Sequence, residues 1–456
     1  MPFRSWFAGP RVLGYLAFAA AGISAGLVAA FLTASPSASS GSAPAAGAPA
    51  ASAPAASAPV SSAPLGSGPP LVRTQAARGS WVATWGASPM AASGNPQAER
   101  GFENQTIRDI IYTSVGGTAV RVRVSNLFGT RPLTIGAASV GVVLDGSALV
   151  PGSGRPLTFG GRAAVTIPAG AAVTSDPVGG AVQPLAELAI SLYLPDPTGP
   201  ATNHGYAGQT NYVAPGDEVA DAVGDSFTQS EQSWFFATEV DVRSATADGT
   251  IVAFGDSITD GYHSEPGAND RWPNDLARRL DASLGDRAPG IVDEGITGNR
   301  VLAGSRCFGE SALARFERDA LSEPDVRAVI LLEGINDIGY ALDPANACTV
   351  PVNRPMTAAR IEEGYRQLIA MAHARGVKVY LGTLTPAPYR EPLRSEVNRW
   401  ILSSRAPDGV INFAAATSEP GDPRYFNPAD NSGDNLHPND LGYAMMANAI
   451  PLAWVR

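Results

Sequence analysis

The chain of 456 residues contains 45% hydrophobic residues and carries a formal net charge of -10. This length suffices for two or more ordinary domains, and the hydrophobic content suffices for a sizeable core. The acidic balance argues against a dedicated nucleic-acid-binding protein, which would present a basic face, so we expect no nucleic-acid partner.

The N-terminal region predicts export. Arg4 and Arg11 precede an uncharged, mostly apolar stretch, so that residues 1–34 have the pattern of a secretory signal. The stretch is also about as long as the roughly 20 residues that one membrane span needs. A cleaved signal peptide and a retained anchor are therefore both open. Residues 35–78, rich in Ala, Ser, Pro and Gly, predict a linker, and we expect a secreted or membrane-anchored extracellular protein.

Residues 79–245, hereafter the β-rich segment, have the pattern of a β-sandwich. From Ala119 to Ser125 valines alternate with arginines, so the valines face one side of a strand and the arginines the other. Short strands with frequent Gly, Pro, Asn and Asp turns favour a sandwich of jelly-roll type without long helices. Four aromatic residues are candidates for stacking on sugars or, as we favour, for packing in a core or domain interface: Trp81, Trp85, Tyr206 and Trp234.

Residues 246–456, hereafter the α/β segment, alternate apolar runs with amphipathic stretches. The apolar runs predict strands over 251–254, 290–294, 326–333, 377–383 and 409–413. The amphipathic stretches predict helices over 272–284, 357–375, 393–404 and 439–450. This alternation predicts an α/β fold, a parallel sheet with helices on both faces, whose active site lies at the carboxyl ends of the strands.

Two motifs at opposite ends of the α/β segment contain a candidate nucleophile and base. Ser257, in Gly-Asp-Ser after the first strand, can expose its hydroxyl and offer its backbone N–H to an oxyanion. Alternatively, Ser257 caps the following helix. His437 can accept the serine proton, and Asp434 three residues earlier can orient its ring, although both could simply begin a helix. Of the other histidines, His263 is close to Ser257 and could line the pocket but has no adjacent carboxylate, His373 lies near the end of a predicted helix, and His204 belongs to the β-rich segment.

Two further motifs follow predicted strands. Asn336, in Gly-Ile-Asn-Asp, can donate its side-chain N–H to an oxyanion. Gly298, in Gly-Ile-Thr-Gly-Asn, can bring a backbone N–H close to a substrate oxygen. Each motif taken alone is equally consistent with a turn.

Together and in this order, the four motifs resemble those of the SGNH hydrolases, also called GDSL esterases. The family name lists four residue types, here Ser257, Gly298, Asn336 and His437. The resemblance implies a flavodoxin-like three-layer fold with a parallel sheet. It also implies Ser257 as nucleophile, His437 as base oriented by Asp434, and no metal or organic cofactor. The oxyanion hole would comprise the N–H groups of Ser257 and Gly298 and the side chain of Asn336.

The neighbouring positions add support and one departure. Asp256 and Asp337 are expected to support the site, and Arg271-Trp-Pro stands where the family has a similar motif. Asp293 stands where an asparagine often occurs, which puts one supporting contact in doubt. The opening from Trp81 to Ser88, placed before this domain, is similar to exported, actinobacterial-type SGNH proteins.

These observations predict an extracellular serine ester hydrolase that removes short acyl groups from a glycan or a lipid ester. Two alternatives remain: an O-acyltransferase that uses the same triad, and a glycan-binding surface protein. Because an exported protein meets an oxidising environment, we expect Cys307 and Cys348 to form a disulfide.

Overall fold

The computed structural model describes residues 79–342, 347–349 and 355–455. The predicted signal or anchor over 1–34 and the linker over 35–78 lie outside the described residues. The β-rich and α/β segments belong to one compact unit. Within the described ranges, the protein contains no helix that is both long and apolar enough to cross a membrane.

Short strands and one short helix make up the β-rich segment. In chain order the strands are β1 (Ser80–Gly86), β2 (Gln105–Tyr112), β3 (Gly117–Ser125), β4 (Leu133–Ile135), β5 (Ala137–Asp145), β6 (Ala148–Leu149), β7 (Arg155–Pro156), β8 (Val165–Ile167), β9 (Ala172–Thr174), β10 (Val178–Val182), β11 (Glu187–Leu194), β12 (Asn203–His204), β13 (Asn211–Pro215), β14 (Gln229–Glu231), β15 (Trp234–Phe235) and β16 (Ala237–Ser244). The helix is α1 (Pro96–Arg100).

Two antiparallel sheets pack face to face in this segment. One has the order β1-β16-β3-β10 with β9 added on β3, and the other has the order β14-β13-β2-β11-β5-β6 with β7 added on β5. The valines of β3 point into the shared core, whereas Arg121 and Arg123 pair with Asp241 and Glu239 of β16. The predicted alternation is confirmed, and the segment is a β-sandwich. The jelly-roll topology stays a prediction.

Strands and helices alternate in the α/β segment. The strands are β17 (Thr250–Gly255), β18 (Gly290–Gly295), β19 (Val326–Leu332), β20 (Lys378–Gly382), β21 (Gly409–Ile411), β22 (Ser418–Glu419) and β23 (Asp422–Phe426). The helices are α2 (Ser257–Asp260), α3 (Trp272–Leu284), α4 (Ala312–Asp319), α5 (Ile335–Leu342), α6 (Ala358–Ala374), α7 (Leu393–Ser403), α8 (Phe413–Thr417) and α9 (Asp440–Asn448).

The central sheet is parallel, with the order β18-β17-β19-β20-β21. Every residue of β17 is buried, which requires helices on both faces of the sheet. Helix α3 packs with α9, and helices α4 and α7 pack with α6. The predicted strands and long helices are confirmed, whereas α2, α4, α5 and α8 were not predicted because each is short and follows a turn motif.

The β-rich segment packs against the edge of the central sheet. Strand β1 lies beside β18, and the Ala83 N–H donates to the Thr250 hydroxyl at 3.1 Å. The Ile291 N–H donates to the Ser114 hydroxyl at 2.8 Å. Trp85 and Trp234 are buried edge to face at 5.1 Å, which confirms packing for these two aromatic residues. Trp81 lies between the guanidinium groups of Arg121 and Arg243.

Candidate active site

Ser257 stands at a sharp turn between β17 and α2. The side chain of Asp256 accepts the Ile258 N–H at 3.0 Å and therefore caps α2, so Ser257 is not the capping residue. Gly255 is required before the turn, because a Cβ there would overlap the Leu332 carbonyl. The turn places the Ser257 hydroxyl at the carboxyl end of the sheet, with only 4% of the residue exposed.

Ser257, His437 and Asp434 form a continuous hydrogen-bonded chain. The distance from Ser257 Oγ to His437 Nε2 is 2.9 Å, and that from His437 Nδ1 to Asp434 Oδ2 is 2.6 Å. The second oxygen, Asp434 Oδ1, accepts the backbone N–H groups of Leu436 and His437 at 2.8 and 2.9 Å. Because a carboxylate only accepts, Nδ1 carries the proton, and Nε2 is free to accept the proton of Ser257.

The Asp434 carboxylate is held in its charged form. Partial burial alone would raise its pKa, but the hydrogen bonds and charge of His437 and the two backbone donors outweigh burial. The net effect places the pKa of Asp434 well below its usual value. An ionised carboxylate beside Nδ1 would stabilise an imidazolium at His437.

Three donors predicted for an oxyanion hole belong to loops that meet at this point. The Ile296 N–H donates to the Gly255 carbonyl at 3.0 Å, which holds the loop after β18 against the turn that contains Ser257. In the described part of the chain, the N–H groups of Ser257 and Gly298 have no protein acceptor. Asn336 Nδ2 donates to the Asn299 carbonyl at 3.0 Å and keeps a second N–H available.

Gly298 occupies a backbone conformation and a space that suit only glycine. Its φ is +80°, and an added Cβ would overlap the ring of Phe308. Phe308 follows Cys307, which is bonded to Cys348 as predicted, and its ring stacks on Tyr340 of α5 at 5.5 Å. The disulfide therefore ties the segment that covers Gly298 to the segment that follows α5.

Asp337, predicted to support the site, holds the loop beyond Gly298. Its carboxylate accepts the N–H groups of Val301 at 2.8 Å and Leu302 at 3.0 Å. Burial raises the pKa of Asp337 to about 6 and that of Asp256 to about 7. Asp293, at the departure from the family pattern, accepts the Gly295 N–H at 3.0 Å through one oxygen. Its other oxygen is buried without a hydrogen-bond partner among the described residues.

Arg315 of α4, which the sequence analysis missed, lies fully buried below the site. Its guanidinium donates to the Gly255 carbonyl at 2.8 Å and to Asn299 Oδ1 at 3.0 Å. It also donates to the Ser88 hydroxyl of the β-rich segment at 2.9 Å. No sequence motif marks a buried arginine in a short helix. The one signal in the sequence is Asp319, four residues after Arg315, with which it forms a buried pair.

Two more residues of the β-rich segment reach the site. The His204 ring contacts Asp260 of the turn that contains Ser257, with 3.1 Å between Nε2 and Oδ1. The half-buried Tyr206 ring lies 5.2 Å from that of Tyr262, which in turn lies 4.9 Å from the His437 ring. No motif marked His204, whereas the contact of Tyr206 with Tyr262 agrees with the expected packing at the interface between the segments.

His263 lies beside Asp434 and His437, as its nearness to Ser257 in the sequence suggested. No neighbouring carboxylate was expected for it, yet its Nε2 is 3.6 Å from Asp434 Oδ2. Burial and the adjacent His437 lower the pKa of His263, although Asp434 opposes them. The ligand atoms of His263, Asp434 and His437 all lie within 4.8 Å of one another, so these three residues could hold a metal ion. Asp434 Oδ2 and His437 Nδ1 are, however, already hydrogen-bonded to each other. His373, by contrast, pairs with Asp408 at the surface.

Residues 253–445 match the family model described as GDSL-like lipase/acylhydrolase. A comparison with curated proteins found no match. Among solved structures, the chain is similar to a G-D-S-L family lipolytic protein of Veillonella parvula (22% identity, 44% of this chain and 94% of that one, TM-score 0.31). It is also similar to a GDSL-like lipase of Bacteroides thetaiotaomicron (18%, 45% and 87%, 0.32) and to a Geobacillus acetyl-xylooligosaccharide esterase (20%, 45% and 93%, 0.34).

Proposed function

Residues 253–445 form a domain of the GDSL-like lipase/acylhydrolase family, so the chain is a carboxylic ester hydrolase, and from this premise we propose its catalytic residues and substrate class. We propose that it removes short acyl groups, such as acetyl, from an extracellular glycan. The observation that carries the catalytic part is the continuous chain of hydrogen bonds from Ser257 through His437 to Asp434.

The reaction proceeds in two steps. Ser257 Oγ attacks the acyl carbonyl while His437 Nε2 takes the hydroxyl proton, and the oxyanion accepts the free N–H groups of Ser257, Gly298 and Asn336. His437 then returns the proton to the departing alcohol oxygen as the ester bond breaks. A water molecule, deprotonated by His437, attacks the acyl-enzyme, and the acid leaves as Ser257 regains its proton.

A short acyl group is supported by the narrow surroundings of the nucleophile. Ser257 and His437 are only 4% and 3% exposed, so the reacting atoms lie at the bottom of a recess. The Phe308 ring occupies the space beside Gly298, and it is held there by stacking on Tyr340. A long acyl chain would have to displace this ring, whereas an acetyl group needs little room.

A sugar as the alcohol part of the ester is supported by the aromatic rim. Tyr206 and Tyr262 are half-buried and His263 is exposed, so their rings present partly open faces near His437. Such rings offer an apolar surface with polar edges, which suits contact with a sugar ring. At the N-terminus, Arg4 and Arg11 precede an apolar stretch. This pattern of a secretory signal supports a site of action outside the cytoplasm.

The proposal can be tested by hydrolysis of p-nitrophenyl esters from acetate to octanoate by the full chain. Ser257→Ala should abolish hydrolysis, whereas Ser403→Ala, an exposed serine of α7, should leave it unchanged. We expect kcat/KM to fall with chain length and acetate to be released from an O-acetylated glycan. Activity in Ser257→Ala would overturn the catalytic assignment. A preference for octanoate would overturn the short-acyl assignment and favour a lipid ester. Transfer of acetyl to an added alcohol in place of water would favour an O-acyltransferase.

A further inference from the structure

We propose that His204 of the β-rich segment is a positioning residue for the oxyanion hole, acting on the Gly298 N–H through Asp260 and Thr297. This inference rests on the proposed function, since it takes Gly298 as an oxyanion donor. It assigns to the β-rich segment a part in catalysis beyond attachment of the enzyme to its surroundings.

The contact chain runs through the two oxygens of one carboxylate. Asp260 Oδ1 faces His204 Nε2 at 3.1 Å. Asp260 Oδ2 accepts the Thr297 backbone N–H at 2.8 Å and the Thr297 hydroxyl at 2.7 Å. Thr297 directly precedes Gly298, and these two bonds hold both its backbone N–H and its side chain, so they restrict the backbone dihedral of Thr297 that sets the direction of the Gly298 N–H. A shift of the Asp260 side chain would therefore move an oxyanion donor.

The geometry also defines the protonation of His204. Its Nδ1 lies 2.9 Å from the Ser88 carbonyl oxygen, and its Nε2 faces the Asp260 carboxylate. Both partners can only accept, so both ring nitrogens donate and the ring is an imidazolium. The two side chains are buried, with 3% and 2% exposed. Burial lowers the pKa of His204, but the charge and hydrogen bond of Asp260 outweigh it and raise the pKa.

The residue after Gly298 is held from the β-rich segment as well. The Ser88 hydroxyl donates to Glu294 Oε2 at 2.6 Å and accepts Arg315 Nη1 at 2.9 Å. Arg315 Nε in turn donates to Asn299 Oδ1 at 3.0 Å. Both neighbours of Gly298 thus connect to Ser88, Thr297 through Asp260 and His204, and Asn299 through Arg315. This double attachment matters because Gly298 adopts φ of +80°, where glycine has alternatives of similar energy.

Docking of the two segments does not depend on His204. Strand β1 lies along β18, and backbone N–H groups of both segments donate to hydroxyls across the contact, as between Ala83 and Thr250. A buried ion pair adds little net stability, because desolvation of both charges offsets their attraction, but loss of one partner alone leaves a buried charge without a counterion, so the folded state of each variant has to be measured. Placement of Asp260, rather than attachment of the segments, is the effect that the contact has on the site.

The test compares two amide variants of His204 in the full chain, with p-nitrophenyl acetate as substrate. The amide nitrogen of glutamine can replace Nε2 and donate to Asp260, whereas that of asparagine can replace only Nδ1 and donate to Ser88. Both variants lose the ring and its contact with Trp234, so they are matched in packing. We expect His204→Asn to lower kcat by about ten-fold and to leave KM nearly unchanged. This loss is smaller than that on removing an oxyanion donor, because the Gly298 N–H is displaced but still present. His204→Gln should retain most of kcat.

Thermal unfolding by circular dichroism accompanies the kinetics. Equal kcat in the two variants would overturn the proposal, as would a loss of kcat that follows a loss of folded protein. If neither variant folds, Thr297→Val decides, because it removes only the hydroxyl bond to Asp260. A several-fold lower kcat supports the proposal, and an unchanged kcat overturns it. Ser257→Ala distinguishes failure of the proposed function from failure of this inference. Activity in Ser257→Ala refutes the proposed function. If Ser257→Ala is inactive and the two His204 variants have equal kcat, only this inference is refuted.

Discussion

Replacement of Asp434 by asparagine tests the triad with little disturbance of the fold. The carboxylate uses Oδ1 for the backbone N–H groups of Leu436 and His437 and Oδ2 for the His437 ring. An asparagine can keep its oxygen at the first position. Its NH₂ group then faces Nδ1 and can only donate, so Nδ1 becomes the acceptor. The ring proton moves to Nε2, which can no longer accept the proton of Ser257.

The size of the effect follows from this tautomer change. Loss of a correctly oriented base in a Ser-His-Asp triad lowers kcat by about 10⁴. This factor corresponds to about 5.5 kcal/mol of transition-state stabilisation. Stability should change little, because the two backbone bonds remain and the Asp434 side chain is 32% exposed, where solvent screens the lost charge.

The assay is steady-state hydrolysis of p-nitrophenyl acetate by the full chain. Asp422→Asn is the matched control, because Asp422 forms an exposed ion pair with Arg424 and contacts no triad residue. Its kcat should equal that of the unmodified protein. A kcat of Asp434→Asn within ten-fold of that value would refute the reasoning. In that case His263, 3.6 Å from Asp434, would be the next candidate for a second base, to be tested by His263→Ala.

Three further predictions follow from named contacts. Gly298→Ala should lower kcat at least 100-fold, because the new Cβ overlaps the Phe308 ring. Adding Phe308→Ala to the same chain should restore part of kcat, and steady-state kinetics measure both effects. Burial raises the pKa of Asp293 to about 7, so the folded state favours the protonated carboxyl group. The free energy that this group adds to stability is therefore full below about pH 4 and is lost as the pH rises through 7. Urea unfolding should therefore show a larger free energy at pH 5.5 than at pH 8.5, and Asp293→Asn should reduce that difference; an unchanged difference would contradict the assignment. Replacing Cys307 and Cys348 together by serine should lower the free energy of unfolding by up to about 4 kcal/mol. It should also lower kcat several-fold, because the disulfide no longer holds the neighbouring Phe308 in place. An unchanged kcat in the folded variant would refute this role of the disulfide.

The sequence alone was sufficient for the α/β fold and for most of the active site. Strands and long helices have local periodicity, so the bounds of α3 agree with the prediction to the residue, and those of β19 and α6 agree to within one. In a parallel sheet, residues that follow strands meet at one edge. The order of the four motifs therefore predicted that Ser257, Gly298, Asn336 and His437 would lie together.

Contacts between the segments were decided only by the tertiary structure. His204 reaches Asp260 across 56 residues, and the Ser88 hydroxyl reaches Glu294 across 206. His263 likewise approaches Asp434, which lies in a distant part of the sequence. Such pairs have no period and no motif, because each depends on how elements far apart in the sequence pack against one another. Local patterns determine which elements form, whereas the burial of charged side chains between elements depends on the placement of both partners at once.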